Sequence, residues 1–204
     1  MRGFKLIHIL LFAAPIILNG PALFNVAQAQ TTSSIAKTEP QKKNQSERLD
    51  DLFSELKREP NHRKAKQLAG RIALSWTSSG SATANALMAW SHQAMQDGRH
   101  SSSLELINQV IVLLPDYAEG WNRRATLHYV MQNYVKSMAD IERTLALEPR
   151  HFGALVGMAA ILTALGEEDK AIKVYERVLS IYPANRNAQA CMIKLLQKLE
   201  KSEI

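Results

Sequence analysis

The sequence has 204 residues, with 25 lysines and arginines against 19 aspartates and glutamates and a formal net charge of +6. Arg2 and Lys5 supply two of the positive charges, so residues 30–204 carry 23 basic and 19 acidic side chains, or +4. This modest excess fits a soluble surface. Because no groove pattern of basic residues with interleaved aromatic rings is visible, nucleic acid is excluded as an expected partner.

The segment 1–29 has the three parts of a secretory signal peptide. Arg2 and Lys5 give a positive start, residues 6–18 are almost entirely apolar, and Ala27-Gln28-Ala29 places small residues in the Ala-x-Ala arrangement. We expect cleavage after Ala29, a periplasmic location, and no transmembrane segment once the signal is removed. The alternative is a retained membrane anchor, for which the apolar run is short, since a span needs about 20 residues.

A polar leader and an atypical helical pair follow the signal. Residues 30–46 are rich in Thr, Ser, Lys and Gln, which predicts a disordered leader. In residues 47–83, apolar side chains recur at helical spacing in two runs that are separated by Pro60. We interpret this stretch as a leading hairpin that covers the first repeat, with Ser81 or Thr83 capping the next helix.

An internal repeat occupies the following part of the chain. Pro115, Pro149 and Pro183 are evenly spaced at a 34-residue step. The same step relates a large apolar column at Leu87, Trp121 and Leu155 and two small columns at Ser91, Ala125, Ala159 and Ser103, Ser137, Ala171. These columns predict repeats at residues 84–117, 118–151 and 152–185, with an amphipathic capping helix at 186–204.

The middle repeat shows what each unit contains. Residues 121–131 suit a helix, the pattern breaks at Gln132, and a second helical run ends before Pro149. Gly98 and Gly166 take the place of Gln132 in the other repeats, where a left-handed backbone can end a helix. Two helices joined by so short a turn are antiparallel. We therefore predict an all-α solenoid of stacked antiparallel helix hairpins.

These residues resemble the tetratricopeptide repeat (TPR), of the bacterial secreted or periplasmic kind. The spacing from the tryptophan to the small residue, the small residue in the second helix and the closing proline carry the resemblance, which covers residues 84–185. The pattern departs from the family at Arg124, where leucine is usual, at Ala94 and His128, where tyrosine is favoured, and at Glu168, where an aromatic residue is common.

The resemblance implies that the first helix of each hairpin lines a concave surface that binds proteins or peptides. Helical spacing then selects a groove face made of Asn85, Met88, His92, Met95, Glu119, Asn122, Thr126, Tyr129, Gly153, Val156, Ala160 and Thr163. By analogy with related grooves, Asn85 and Asn122 would hydrogen-bond the main chain of an extended peptide. The basic clamp with which some family members hold a terminal carboxylate is not expected, because the third repeat offers Val156 and Ala160.

The sequence favours a non-catalytic adaptor without a cofactor. It contains no glycine-rich phosphate loop, no HExxH and no Gly-x-Ser-x-Gly motif. A metal site at Met88, His92 and Met95 is not expected, because their helical spacing separates the methionines by about 10 Å, and Cys191 is expected to be buried. The alternative function is structural assembly of an envelope complex by self-association or docking of the terminal helices. Weak attraction to anionic envelope surfaces also stays open.

Overall fold

A computed structural model describes residues 44–202, all of them in helices or the turns between helices. The predicted signal peptide and most of the predicted leader lie outside these residues. The helices are α1 (Gln45–Arg58), α2 (His62–Thr77), α3 (Ala82–Gln96), α4 (His100–Leu113), α5 (Ala118–Val130), α6 (Tyr134–Leu147), α7 (Phe152–Ala164), α8 (Glu168–Ile181) and α9 (Arg186–Ser202). None of the described helices has the length and apolar character that a membrane crossing requires.

Side chains at the helix starts fix several of these boundaries. Asn44 accepts a hydrogen bond from the backbone of Glu47, whose carboxylate accepts one from the backbone of Asn44. This capping box starts α1 inside the segment that we predicted as a leader up to residue 46, because it satisfies N–H groups that a helix start leaves unpaired. Ser81 caps α3 by accepting from the backbone of Ala84, one of the two capping residues that the sequence offered.

Helices α3 to α8 form three antiparallel hairpins that stack side by side, which confirms the predicted α-solenoid. The small columns lie where the helices of each hairpin cross. Ser103 and Ser137 are fully buried, and their hydroxyl groups donate to the backbone carbonyls of Ser91 and Ala125 over 2.9 and 2.7 Å. Ala171 is equally buried at the third crossing. A small side chain is therefore what lets the two backbones approach this closely.

The three bends inside the hairpins share one conformation. Gly98 and Gly166 have φ angles of +72° and +75°, and Gln132 has a φ angle of +59° at the equivalent position. In each bend the next residue donates a backbone hydrogen bond to a carbonyl five residues earlier, as in Asn133 to His128 over 2.8 Å. Gln132 thus adopts a left-handed backbone that favours glycine.

An ion pair inside the middle hairpin takes the place of an apolar contact. Arg124, at a position where the family usually has leucine, donates to both carboxylate oxygens of Asp140 over 2.7 and 2.8 Å. It also reaches the first hairpin, where it donates to the side-chain oxygen of Asn108. Asp140 is buried, and Arg124 is about one-fifth exposed. Because the carboxylate and the amide together satisfy the guanidinium, this departure from the family pattern does not disturb the stack.

The leading hairpin of α1 and α2, here called the strap, does not cover the first repeat as we had expected. It runs along the turns that carry the three repeat prolines. The backbone carbonyl of Thr77 accepts a hydrogen bond from the Tyr117 hydroxyl over 2.9 Å, and the Trp76 ring stacks on His151 with centroids 4.0 Å apart. His62 Nδ1 lies 3.1 Å from the carbonyl oxygen of Ala184. The α2 helix therefore touches all three turns.

An apolar cluster explains why the strap lies there. Phe53, Leu56 and Ile72 of the strap are buried together with Tyr182 and Ala184 of the last proline turn. In addition, Arg150 pairs with Asp50 over 2.7 Å and lies over the Phe53 ring, 4.1 Å from its centroid. Burial of these apolar side chains against the turns stabilises this position of the strap, and packing on α3 would have to bury as much apolar surface to compete with it.

Candidate functional site

The clearest apolar opening on the predicted groove face lies between α5 and α7. This central recess has a volume of about 260 Å³, with small or apolar side chains over most of its wall. It is lined by Asn122, Ala125, Thr126, Tyr129, Ser137, Ile141, Gly153, Ala154, Val156, Gly157 and Ala160. The structure thus brings together six residues of the predicted face, three from the middle repeat and three from the third.

A second opening, the N-terminal recess, lies between the end of α2, α3 and α5. It is larger and more polar, with a volume of about 570 Å³. Its lining consists of Leu74, Thr77, Ser78, Asn85, Met88, Ala89, His92, Tyr117 and Arg123. Asn85, Met88 and His92 are the predicted residues that it contains, and the strap supplies one of its walls.

Sequence reasoning missed several recess residues, among them one column that recurs in all three repeats. Ala89, Arg123 and Gly157 are related by the same 34-residue step as the prolines, and each lines a recess. Extending the selected helix face by one column would have found them. The contribution of Leu74 and Thr77 left no such signal, because it depends on where the strap packs.

Three predicted groove residues line neither recess. Glu119 is buried, with only 6% of its surface exposed, so its inclusion in a binding face was wrong. Met95 packs against a buried cluster of Ile107, Ile111 and Leu127, where α4 and α5 meet. Thr163 is exposed near the end of α7, and its hydroxyl donates to the carbonyl of Ala159 over 2.8 Å.

Glu119 instead joins the middle repeat to the start of α7. Its carboxylate accepts from Arg123 over 2.7 Å and from Asn122 over 2.9 Å, and it lies 3.2 Å from Nε2 of His151. Since Nδ1 of His151 accepts from the Ala154 backbone and so caps α7, the neutral ring carries its proton on Nε2 and donates it to Glu119.

The electrostatic environment keeps Glu119 ionised. Burial by itself raises the pKa of Glu119, but the hydrogen bond from His151 and the charge of Arg123 outweigh it. The pKa therefore lies below its ordinary value of 4.5. In the same region, burial raises the pKa of the Tyr117 hydroxyl to about 12, so this hydroxyl is a neutral donor to the strap.

The two groove asparagines are partly engaged within the protein. The side-chain oxygen of Asn85 accepts from the backbone and the hydroxyl of Ser79 over 3.2 and 2.7 Å. The amide nitrogen of Asn122 donates to Glu119. Among the described residues, these bonds use opposite halves of the two amides. A peptide would therefore meet the NH₂ group of Asn85 and the carbonyl oxygen of Asn122.

The remaining candidates for chemistry lie apart from one another. Within residues 44–202, no three histidine, cysteine, aspartate or glutamate side chains are grouped so that they could hold a metal ion. Cys191 is half-buried beside the apolar cluster of α7, α8 and α9 and is not fully enclosed. His128 is buried near Asp140, and its Nδ1 has no hydrogen-bond partner among the described residues.

The fold and the groove define a class of helical-repeat proteins with an open binding face, and comparison with known proteins gives the family. The chain is 54% identical over 153 residues to a TPR repeat-containing protein of Rhizobium etli, covering 75% of each chain. This protein therefore belongs to the TPR repeat-containing proteins. It is also 26% identical over 93 residues to anaphase-promoting complex subunit 3 of Schizosaccharomyces pombe, of which it spans 14%. No family model matches the chain.

Solved structures show the same fold at low sequence identity. The first TPR of Spaghetti (RPAP3), bound to the HSP90 peptide SRMEEVD, aligns with a TM-score of 0.55 and 22% identity, covering 58% of this chain and 94% of that one. The TPR2B domain of yeast Sti1, in a complex with pHsp70, aligns with a TM-score of 0.54 and 15% identity, covering 58% and 99% of the two chains. These likenesses concern the fold alone.

Proposed function

We propose that this protein is a non-catalytic adaptor of the periplasm that binds an extended peptide segment of a partner protein in its concave groove. The observation that carries the proposal is the central recess, which is open and walled by apolar groups where α5 and α7 face it. The TPR domains of Spaghetti and yeast Sti1 were solved in complexes that contain HSP90 and Hsp70 ligands, which supports binding on this type of fold.

The walls of the recess indicate which peptide would fit. Gly153, Gly157 and Ala160 carry almost no side chain, so α7 leaves space above the half-buried Val156. Tyr129 also lines the recess, with 38% of its surface exposed. An apolar side chain of the peptide would enter this space, while the carbonyl oxygen of Asn122 accepts a hydrogen bond from the peptide backbone.

A photo-crosslinking experiment tests the groove. Benzoylphenylalanine at position 129 replaces an exposed aromatic ring of the recess, and the same probe at Val135, which is 86% exposed on α6, is the control position. We expect crosslinks to a partner from position 129 and not from position 135. Equal crosslinking from both positions would count against a specific groove.

A pair of matched threonine variants sharpens the test. Thr126 lies in the recess and Thr163 outside it, and each is exposed with its hydroxyl bonded to a carbonyl of its own helix. Thr126→Arg would fill the recess with a charged side chain, so we expect it to abolish the crosslinks from position 129, whereas Thr163→Arg leaves them intact. Persistence of the crosslinks in Thr126→Arg would refute the proposed site.

The periplasmic part of the proposal rests on the signal sequence of residues 1–29. N-terminal sequencing of the protein from fractionated cells is the direct test, and we expect Gln30 as its first residue in the periplasmic fraction. Protein that keeps Met1 or Arg2, or that fractionates with the cytoplasm, would contradict this part and leave the groove proposal standing.

A further inference from the structure

The final described helix continues the repeat register and exposes the face that is covered in each complete repeat. Ile193 of α9 lies one repeat step after Ala159, in the column of Ser91 and Ala125. These three residues are buried against the second helix of their own hairpins, with 0–3% of their surface exposed. Ile193 is 52% exposed, and Leu196, in the next column of the same face, is 42% exposed.

The exposed face of α9 forms a straight stripe with a defined order of charge. Its residues follow one another at spacings of one and three, which keeps them on one side of a helix. They are Arg186, Gln189, Ala190, Ile193, Leu196, Gln197 and Glu200. Within the stripe the two large apolar side chains lie in the middle, Arg186 lies at the beginning and Glu200 at the end, while the exposed Lys194 and Lys201 flank it on one side. By helix rise, the stripe is about 21 Å long.

We propose that α9 pairs with α9 of a second copy of this chain, antiparallel and across a twofold axis near Ile193. In this arrangement Ile193 and Leu196 of both copies meet at the centre. Arg186 of each copy then lies within about one helical turn of Glu200 of the other copy. A parallel arrangement would place Arg186 beside Arg186 and Glu200 beside Glu200, so the charge order favours the antiparallel pair.

The contacts of α9 with its own chain leave the stripe available. Lys198 is on the side of α9 that faces its own chain, where it forms an ion pair with Glu168 of α8. Leu195 and Leu199 pack into the cluster that joins α9 to α8. One side of α9 is thus held by the repeat stack, and the stripe on its opposite side is accessible to a second copy.

A head-to-tail assembly is the competing arrangement. At the other end of the stack, α3 exposes Trp90, 61% of whose surface is accessible because the strap does not cover it. Docking of α9 on this face would join unlike surfaces and produce open chains of molecules rather than closed dimers. Of the two arrangements, only the head-to-tail one should therefore respond to a substitution of Trp90.

Sedimentation of the protein, as the cell processes it from the full-length chain, tests the proposal. A pair of single helices buries less than the ~1,200 Å² of standard stable interfaces, so the measurement should span about 1 μM to about 1 mM. We expect a reversible equilibrium between monomer and dimer. A monomer throughout this range, or species that keep growing with concentration, would overturn the proposal.

Substitutions on the stripe identify the interface. Ile193→Asp should weaken the dimer by at least about 100-fold, since it would bury two carboxylates at the twofold axis. Val135→Asp, which replaces an exposed valine on α6, and Trp90→Ala should leave it unchanged. A dimer that survives Ile193→Asp, or one that Trp90→Ala dissolves, excludes the α9 pair. Circular dichroism confirms that each variant is folded, which is expected because the replaced residues are exposed.

A charge exchange tests the antiparallel direction. Arg186→Glu or Glu200→Arg alone should weaken the dimer by about tenfold, because twofold symmetry alters both ion pairs at once. The double variant Arg186→Glu/Glu200→Arg restores opposite charges and should recover the dimer. Failure of the double variant to recover it would show that these residues do not face each other.

Discussion

The three stacked hairpins and the strap are held to the rest of the protein by different kinds of contact. Each stacked hairpin repeats the same crossing, bend and proline turn, so the contacts within it are between residues near one another in sequence. The strap depends on contacts such as Trp76 with His151 and His62 with Ala184, which join residues far apart. Each hairpin is thus held by contacts between residues close in sequence, whereas the strap is held by contacts between residues far apart in sequence.

Removal of the aromatic contact near the end of α2 should have the largest effect. Trp76 stacks on His151 and also contacts Phe53 and Phe152. Trp76→Ala should lower the free energy of unfolding by about 3–5 kcal/mol. Trp90→Ala, which removes an exposed tryptophan from α3, should change it by less than about 0.5 kcal/mol. Urea unfolding followed by circular dichroism measures the free energy of unfolding of both variants. Equal losses would show that the contacts of Trp76 stabilise the protein no more than an exposed tryptophan does.

Loss of the ion pair inside the middle hairpin should be the largest single effect within the stack. Asp140→Ala leaves Arg124 without its carboxylate, and we expect a loss of about 3 kcal/mol in urea unfolding. The double variant Arg124→Leu/Asp140→Leu removes both charges and should cost about 1 kcal/mol or less.

A surface pair is the matched control for this variant. Asp116 and Arg143 form an ion pair 3.2 Å long, in which Asp116 is 87% exposed. Asp116→Ala should cost less than about 0.5 kcal/mol because solvent screens exposed charges. A loss as large as that of Asp140→Ala would show that burial does not determine the difference.

The buried His128 should make the stability of the protein depend on pH. Burial lowers the pKa of His128 below its ordinary value of 6.5, more than Asp140 raises it, and Arg124 and Lys136 lower it further. The unfolded chain therefore binds a proton that the folded chain resists, and stability should fall as the pH drops below about 6.5. His128→Phe should reduce this fall in urea unfolding between pH 7.5 and 5.5 (about one unit on either side of the ordinary value).

An exposed histidine tests whether the effect belongs to this site. His92 is exposed on α3 and bonds to Gln96 over 3.0 Å. His92→Phe, which removes an imidazole from an exposed position, is the variant for comparison. If both variants reduce it equally, burial of His128 is not the cause.

The smallest expected effect concerns the bend of the middle hairpin. Gln132→Gly relieves the left-handed backbone that costs a non-glycine residue about 1–2 kcal/mol, but it also adds freedom to the unfolded chain. We expect a net gain of about 0.5–1 kcal/mol by thermal unfolding. Gly98→Gln, the reverse change at an equivalent bend with a φ angle of +72°, should lose a similar amount. A loss of stability in Gln132→Gly would contradict the interpretation of this bend.

The candidate site was only partly accessible to sequence reasoning. Helical spacing and the 34-residue step found Asn122, Thr126 and Val156, because a groove face repeats along the stack as the helices do. They wrongly added Glu119, since the periodic pattern does not reveal that His151 lies close enough to draw this carboxylate into the interior.

The sequence by itself determined the hairpins, the bends and the register of the stack, because caps, left-handed bends and small crossing residues act over a few residues and recur at a fixed step. Only the tertiary structure decided where the strap packs, that Arg124 reaches both Asp140 and Asn108, and that α9 presents Ile193 to solvent. Those features depend on which surfaces meet in space, and a contact that occurs only once in the fold leaves no periodic trace in the sequence.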